Sequence, residues 1–175
     1  MFAAAGRQGA TMTAICAHAK LTERYFYESF TSRDELLQQV FDGIVDEVRV
    51  AGMAALRTTD GTREERVRSA IASFVNILTD DPRKGRVAMV ESVAYEPLRT
   101  HRRGALRGFA QMVADEAALL YGDRAWPPHQ GEINGLLFVG GLAELVTAWL
   151  NGEIDITPAE IVDAATFQFT STAHR

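Results

Sequence analysis

The chain has 175 residues, the size of one domain or of two small domains that share an interface. Hydrophobic residues make up 47% of it and charged residues 23%, which excludes a disordered tail, a collagen-like fibre and a disulfide-stapled miniprotein. The net charge of -5 excludes a uniformly basic nucleic-acid binder but not a local contact face. The first residues lack the basic start and long apolar run of a secretory signal, so we expect a cytoplasmic protein.

Three short helical pieces open the chain. The first ends at about Gly6. Thr11 then has the position of an N-cap for a helix over residues 12–19, and Thr22 for a helix from Glu23 to about Ser29. A tight turn between the last two pieces predicts a helix-turn-helix, with Ile15, Ala19, Leu21, Phe26 and Phe30 converging inward.

Helix start signals continue to the C-terminus. Ser32, Thr62 and Thr157 each precede a glutamate by three residues, the spacing of a capping box, and Asp81-Pro82 gives a further start. Gly61, Gly122 and Gly152 lie near predicted helix ends. Apolar residues recur with a period of 3.6 between these signals, as in Leu37, Phe41, Ile44 and Val48. We therefore predict an all-α protein of about nine helices, in which a long helix runs from Ser32 to about Leu56.

The N-terminal residues resemble the signature of the tetracycline-repressor (TetR) family of transcriptional regulators. The match is carried, without a gap, by Gly6, Thr11, Ile15, Ala19, Leu21, Thr22, Tyr27, Phe30, Ser32, Arg33, Glu35 and Leu36. The run from Phe138 to Leu145, followed by Trp149-Leu150 and residues 157–163, is similar to the last two helices of the family. The resemblance implies a helix-turn-helix DNA-binding domain over residues 1–45 and a helical ligand-binding and dimerisation domain over residues 46–175.

The same resemblance assigns DNA contacts to individual side chains. It implies that Tyr27, Arg33 and Thr11 hold phosphates, and that Arg24 and Tyr25 face bases or phosphates from the recognition helix. Phosphate binding suits Thr11 because a helix N-terminus presents unpaired N–H groups to anions. The implied DNA-binding set is Thr11, Thr22, Arg24, Tyr25, Tyr27 and Arg33. Each of the tyrosines and arginines could instead be an ordinary surface side chain.

Three features depart from the family pattern. Phe2 matches a phenylalanine within the family's first helix, which leaves two alternatives: the true start lies upstream, or the DNA-binding unit is abridged. Lys20 stands where the family usually has glycine in the turn, and we expect it at positive φ. Residues 1–45 hold four basic and five acidic residues, a net charge of -1, which predicts weak or salt-sensitive DNA binding.

No enzyme signature is present in the sequence. The histidines show no metal spacing, Gly140-Gly141 follows no strand, and no nucleophile is paired with a base, so we expect neither an enzyme, a cofactor nor a metal site. Cys16 lies beside apolar positions and is expected to be a buried structural thiol. The basic run from Arg99 to Arg107 is read as a solvated face, and the minority interpretation is a pocket for an anion.

The aromatic and methionine residues of the C-terminal part are most simply interpreted as core residues. In the family that the chain resembles, however, such residues line a ligand pocket. Glu91 and Tyr95 have i,i+4 spacing and could share a pocket wall. We expect a mainly apolar effector with one or two polar groups. The predicted pocket set is Phe74, Met89, Glu91, Tyr95, Phe109, Met112, Phe138 and Trp149.

The segment from Ile133 to Gly152 carries a single charged residue, Glu144. A helix that is apolar all round must be covered all round, so we expect a second copy of the chain to cover one side. The predicted interface comprises Gly140, Gly141, Leu142, Leu145, Val146, Trp149, Ile161, Ala165 and Phe169. The alternative is that a single chain buries the whole helix.

These features together predict a regulator that binds operator DNA as a homodimer, most simply a repressor that a small molecule releases. The alternative is a helical small-molecule-binding or scaffolding dimer that has lost DNA binding.

Overall fold

The computed structural model describes residues 11–173, and the elements of this range are all helical. The first predicted helical piece, up to Gly6, lies outside the described residues. The α-helices are α1 (Met12–Ala19), α2 (Glu23–Ser29), α3 (Arg33–Thr58), α4 (Arg63–Asp80), α5 (Pro82–Gly85), α6 (Ser92–Ala94), α7 (Glu96–Tyr121), α8 (Pro128–Leu150) and α9 (Pro158–Thr172). A π-helical turn, Arg86–Glu91, joins α5 to α6, and a 3-10 turn, Gly122–Arg124, follows α7. The all-α prediction is confirmed.

Local capping chemistry starts these helices where the sequence predicts. The capping boxes of α4 and α9 are complete: each threonine oxygen accepts from the N3 amide, and each glutamate accepts from the threonine amide at 2.7 Å. These hydrogen bonds lower the pKa of Glu65 and of Glu160. Asp81 caps α5 by accepting from the Arg83 amide.

The box predicted at Ser32 is only half formed. Its hydroxyl accepts from the Glu35 amide at 3.1 Å, but the Glu35 carboxylate accepts from the amide and hydroxyl of Thr31 instead of the Ser32 amide. Thr31 therefore supplies both donors to the carboxylate, its backbone amide at 2.7 Å and its hydroxyl at 2.6 Å. This arrangement lowers the pKa of Glu35 and fixes the link between α2 and α3.

The core lies between the long helices of the C-terminal part. Leu78, Leu98, Val146 and Ile161, from α4, α7, α8 and α9, are all wholly buried. In this body α3 packs on α4, α7 on α8, and α4 on α9. The helix α3 continues through residue 45 without a break, so one rigid element belongs to both predicted domains.

Candidate functional site

The helices α1 and α2 form the predicted helix-turn-helix. Thr11 caps α1, its hydroxyl accepting from the Ala14 amide at 3.2 Å. The turn depends on Lys20, which adopts the left-handed conformation at φ 55°. Its amide donates to Ala17, and the Leu21 amide donates to Cys16 at 2.9 Å. A lysine therefore makes the turn that the family pattern gives to glycine, as predicted.

Each of the two helices contributes one buried apolar residue. Phe26 and Cys16 are both buried, and the ring of Phe26 lies 5.3 Å from that of Phe30. The burial of Cys16 agrees with a structural thiol. The inward placement of Ala19 and Leu21 is wrong, since both are exposed. Leu21 belongs to the turn and is fixed there through its backbone amide, so its side chain is left outside.

The outer face of α2 presents the side chains predicted to meet DNA. Tyr25 and Tyr27 are each 58% exposed. The Arg24 guanidinium is also exposed, and its Nε donates to the Glu28 carboxylate at 3.1 Å. Thr22 begins the helix in extended backbone, and its hydroxyl makes no capping hydrogen bond within the described chain. These four residues belong to one short helix and its N-cap and are accessible to a partner.

Arg33 differs from them because it is partly buried at the first position of α3. Its side chain is 26% exposed, and Nε lies 4.0 Å from the Asp34 carboxylate. Three residues separate α2 from α3, so Arg33 follows α2 closely. The DNA-binding role of this residue and of those on α1 and α2 stays a prediction.

A cavity of about 160 Å³ lies inside the helical body. Its walls come from α3, α4, the π-helical turn, α7, α8 and α9, and they are almost wholly apolar. The π-helical turn contributes Ala88 and Met89 to this wall, and π-helical insertions are frequent at functional sites. Apolar cavities of about this size stay dry and take up small apolar molecules.

Five of the eight predicted pocket residues line this cavity: Phe74, Met89, Phe109, Met112 and Phe138. Glu91, Tyr95 and Trp149 do not line it. The shared cavity wall predicted for Glu91 and Tyr95 is wrong because neither residue lines the cavity, although the Tyr95 amide donates to the Glu91 carbonyl at 2.9 Å. Glu91 ends the π-helical turn, and Tyr95 lies beyond α6 in extended backbone. Trp149 packs against the core instead.

Two charged residues, Arg102 and Glu116, also line the cavity from α7. Both are half-buried. The predicted pocket set omits them, because Arg102 lies in a run of arginines that is typical of a solvated face. Glu116 could have been predicted from the sequence, since it interrupts the apolar stripe of α7 at an inward position.

The predicted interface divides into buried and accessible positions. Five of its residues are buried inside the chain, which corrects their assignment to a partner surface: Leu142, Val146, Ile161, Ala165 and Phe169. The reason is that α7 and α9 pack against the stripe of α8 on which Leu142 and Val146 recur four residues apart. Gly141 is exposed, while Gly140, Leu145 and Trp149 are half-buried.

An apolar surface nevertheless remains on α8 and α9. Leu137 is 67% exposed and Phe167 is 72% exposed, and Ile133 and Leu136 are exposed beside Leu137. We call these four residues the exposed apolar face. By length and composition alone α8 could cross a membrane, but Phe138 and Val146 place one side of it in the protein core.

Comparisons with known proteins give matches only among solved structures. No family model and no curated protein matches the chain. The fatty acid degradation regulator FadR from Bacillus halodurans superposes with a TM-score of 0.72 at 18% identity, over 99% of this chain and 91% of that one. A TetR-family transcriptional regulator from Bordetella parapertussis 12822 gives 0.70 at 18% identity, over 98% and 89%.

A third similar structure was solved with its ligands. AibR, in complex with isovaleryl coenzyme A and operator DNA, superposes with a TM-score of 0.67 at 14% identity, over 95% of this chain and 90% of that one. The helix-turn-helix and the helical body therefore lie in one arrangement that covers nearly the whole length of these proteins. The chain has the fold of the TetR-family transcriptional regulators.

Proposed function

We propose that the chain is a DNA-binding transcriptional regulator, a repressor that a small molecule releases from its operator. The observation that carries this proposal is the connection between two sites. The recognition helix α2 is followed, after three residues, by the 26-residue helix α3, and α3 then forms one wall of the apolar cavity. The helix-turn-helix of α1 and α2, which we call the reading head, and the cavity are thus both attached to one rigid element, α3.

The DNA-binding part of the proposal assigns α2 to the major groove, the usual position of the second helix of a helix-turn-helix. Arg24 and Tyr25 would face bases, since an arginine can donate twice to guanine. Tyr27, Arg33 and the N-terminus of α1 at Thr11 would hold phosphates and so fix the register. Three of these side chains, Arg24, Tyr25 and Tyr27, are exposed on the outer face of α2.

The release mechanism depends on the length and stiffness of α3. Filling the cavity pushes on side chains such as Phe41, Val45 and Val48, which lie on the same helix as Arg33. A small rotation of α3 would then move α2 relative to a fixed groove. By linkage, the effector weakens DNA binding by the factor by which DNA weakens effector binding.

The exposed apolar face of α8 and α9 supports a homodimer. Large apolar side chains that remain exposed at this level, such as Leu137 and Phe167, are typical of interaction sites. A second copy using the same face would pair two reading heads about a two-fold axis, as a palindromic operator requires. The proposed interface keeps Gly140, Gly141 and Leu145 and adds the four residues of the exposed apolar face.

The similar structures support the assignment of function. AibR was solved with an acyl coenzyme A and operator DNA, and FadR is named as a regulator of fatty acid degradation. Proteins of this fold thus combine DNA binding with small-molecule binding. The proposal includes a cytoplasmic location and no enzyme activity, and the described residues contain no cluster of three metal-ligating side chains.

Selection of bound sequences from random DNA, with the full-length protein at low salt, tests the proposal. We expect enrichment of a short palindrome. The variant Arg33→Gln should weaken binding to it and flatten the salt dependence by roughly one phosphate contact, a change of about 0.9 in the slope of log K against log salt. Arg49→Gln is the matched control, because Arg49 lies further along α3 and pairs with Asp46.

The alternative function is a small-molecule-binding or scaffolding dimer without DNA binding. The acidic balance of residues 1–45 favours it, and so does the Glu28 carboxylate that holds Arg24. Failure to enrich any sequence at low salt, with a folded and ligand-binding protein, would establish this alternative.

A further inference from the structure

The cavity, which we call the channel, extends along two of its wall helices, α3 and α7. Its lining residues run along α3 from Phe41 to Leu56 and along α7 from Arg102 to Leu120. At one end His101 Nδ1 lies within hydrogen-bond distance, 3.0 Å, of the Asp42 carboxylate. A helix rises about 1.5 Å per residue, so the lining stretch of α3 is about 20 Å long.

The two helices run side by side in the same direction. His101 and Asp42 join their N-terminal parts. At the other end Arg63, which opens α4 soon after α3 ends, lies 6.0 Å from the centroid of the Tyr121 ring at the end of α7. The start of the lining on α7 is therefore the end of the channel nearest to the reading head.

That end of the channel carries positive charge. Arg102 is the cationic residue among those that line the channel, and it is half-buried. Its guanidinium makes no hydrogen bond or ion pair with another residue of 11–173. The neighbouring basic groups differ, since Arg99 pairs with Glu96 at 2.7 Å and His101 contacts Asp42.

A half-buried arginine in the wall of an apolar channel thus carries a guanidinium that has no partner among residues 11–173. Such a group gains most from an anion, because its planar fork matches carboxylate and phosphate oxygens in two parallel hydrogen bonds. The remaining walls offer apolar contact only, apart from Glu116, which lies about 21 Å along α7 from Arg102. The channel therefore suits a molecule with one charged head and one apolar chain.

We infer that the effector is an amphipathic anion whose head group is held by Arg102 and whose single apolar chain lies between α3 and α7. The volume of about 160 Å³ suits a chain of medium length. This inference rests on the proposed function, in which the cavity is the effector site, and it adds the chemical class and orientation of the effector.

The orientation gives the head group a mechanical role. Arg102 is adjacent to His101, which contacts Asp42 on α3, and Asp42 is nine residues from Arg33. An anion on Arg102 therefore binds where α7 contacts the part of α3 closest to the reading head. A cationic amphiphile on Glu116 would place its head at the other end of the channel.

Calorimetric titration of the full-length protein with three eight-carbon probes tests the inference. The probes are octanoate, 1-octanol and octylammonium, which share a chain and differ in charge. We expect octanoate to bind at least about tenfold more tightly than 1-octanol, the gain of a charge-assisted hydrogen bond. Affinity should rise up to about fourfold for each methylene added to the carboxylate until the channel is full.

Substitutions separate the head-group site from the channel. Arg102→Gln should remove the preference for octanoate and leave 1-octanol binding unchanged, whereas Arg103→Gln, at an exposed neighbouring position, should change neither. Ala105→Phe fills the channel wall and should weaken both probes. Thermal melts of each variant verify that it is folded.

Equal binding of all three probes, or no binding of any, would overturn the inference. So would a preference for octylammonium that Glu116→Gln abolishes, since that result assigns the site to a cation. None of these outcomes bears on DNA binding, which the sequence selection measures without an effector, so failure of this inference and failure of the proposed function are distinguishable.

Discussion

Gly135 of α8 permits the closest backbone approach between α7 and α8, and its replacement by alanine tests how the body is packed. A Cβ atom at this position would lie 2.4 Å from the carbonyl oxygen of Ala110 and 3.0 Å from its carbonyl carbon. Both atoms belong to the backbone of α7 and cannot rotate away. Relief of the contact therefore requires the two helices to separate.

The magnitude follows from two opposing terms. Overpacking of a close contact costs about 1–3 kcal/mol, and a backbone clash lies at the upper end. Alanine recovers about 1 kcal/mol through its higher helix propensity. We expect Gly135→Ala to lower the free energy of unfolding by about 2 kcal/mol, which for a chain of this length lowers Tm by about 4–8 °C.

The assay is thermal unfolding followed by circular dichroism at a fixed protein concentration. Gly108→Ala is the matched control, because Gly108 lies within α7 and a Cβ atom there would meet no side chain or neighbouring helix within 4 Å. That variant should gain up to about 1 kcal/mol from propensity alone, and its Tm should rise by about 2–4 °C. A Tm for Gly135→Ala equal to or above that of the unmodified protein would refute the close packing of α7 on α8.

Three further predictions concern the caps, acid stability and the interface. Thr62→Ala should lower the free energy of unfolding by about 1 kcal/mol in denaturant titration, because a complete capping box loses its hydroxyl acceptor; an unchanged midpoint would contradict this. The hydrogen bond from Arg83 lowers the pKa of Asp81 from 3.8 to about 2, so its stabilisation is complete above about pH 5 and is lost as the pH falls towards 2. The stability difference between the unmodified protein and Asp81→Asn should therefore be constant from about pH 5 to 7 and shrink as the pH falls towards 2, and a difference that grows in acid would refute the assignment. Leu137→Asp should give a folded monomer of 19.2 kDa in sedimentation, whereas the same change at the wholly buried Val146 should unfold the chain; a dimeric Leu137→Asp variant would exclude this face.

Local chemistry makes the helix starts and the turn predictable from the sequence. A threonine or serine followed three residues later by glutamate decides a helix start within a few residues, and α4 and α9 begin where Thr62 and Thr157 predict. The turn at Lys20 is likewise predictable, because the family resemblance places glycine at this position and implies a positive φ, which the lysine adopts.

Tertiary packing sets the features that the sequence does not reveal. A helix that is apolar all round, such as α8, does not indicate which stripe packs on its own chain, so the sequence pattern assigns Val146 to a partner although it lies in the core. The spacing of Glu91 and Tyr95 predicts neighbours on one helix, and the Tyr95 amide does donate to the Glu91 carbonyl, but the spacing does not reveal that neither residue lines the cavity. Arg102 cannot be distinguished from the exposed arginines around it without knowing that α3 lies opposite.

The titration of the selected palindromic duplex with the full-length protein, followed by fluorescence anisotropy, tests the central claim most directly. We expect saturation at two chains for each duplex, with an affinity at least about 10³-fold tighter than for a scrambled duplex at the same salt concentration. Equal affinity for the two duplexes, or no binding to either at low salt, would contradict the assignment of this chain as a sequence-specific DNA-binding regulator.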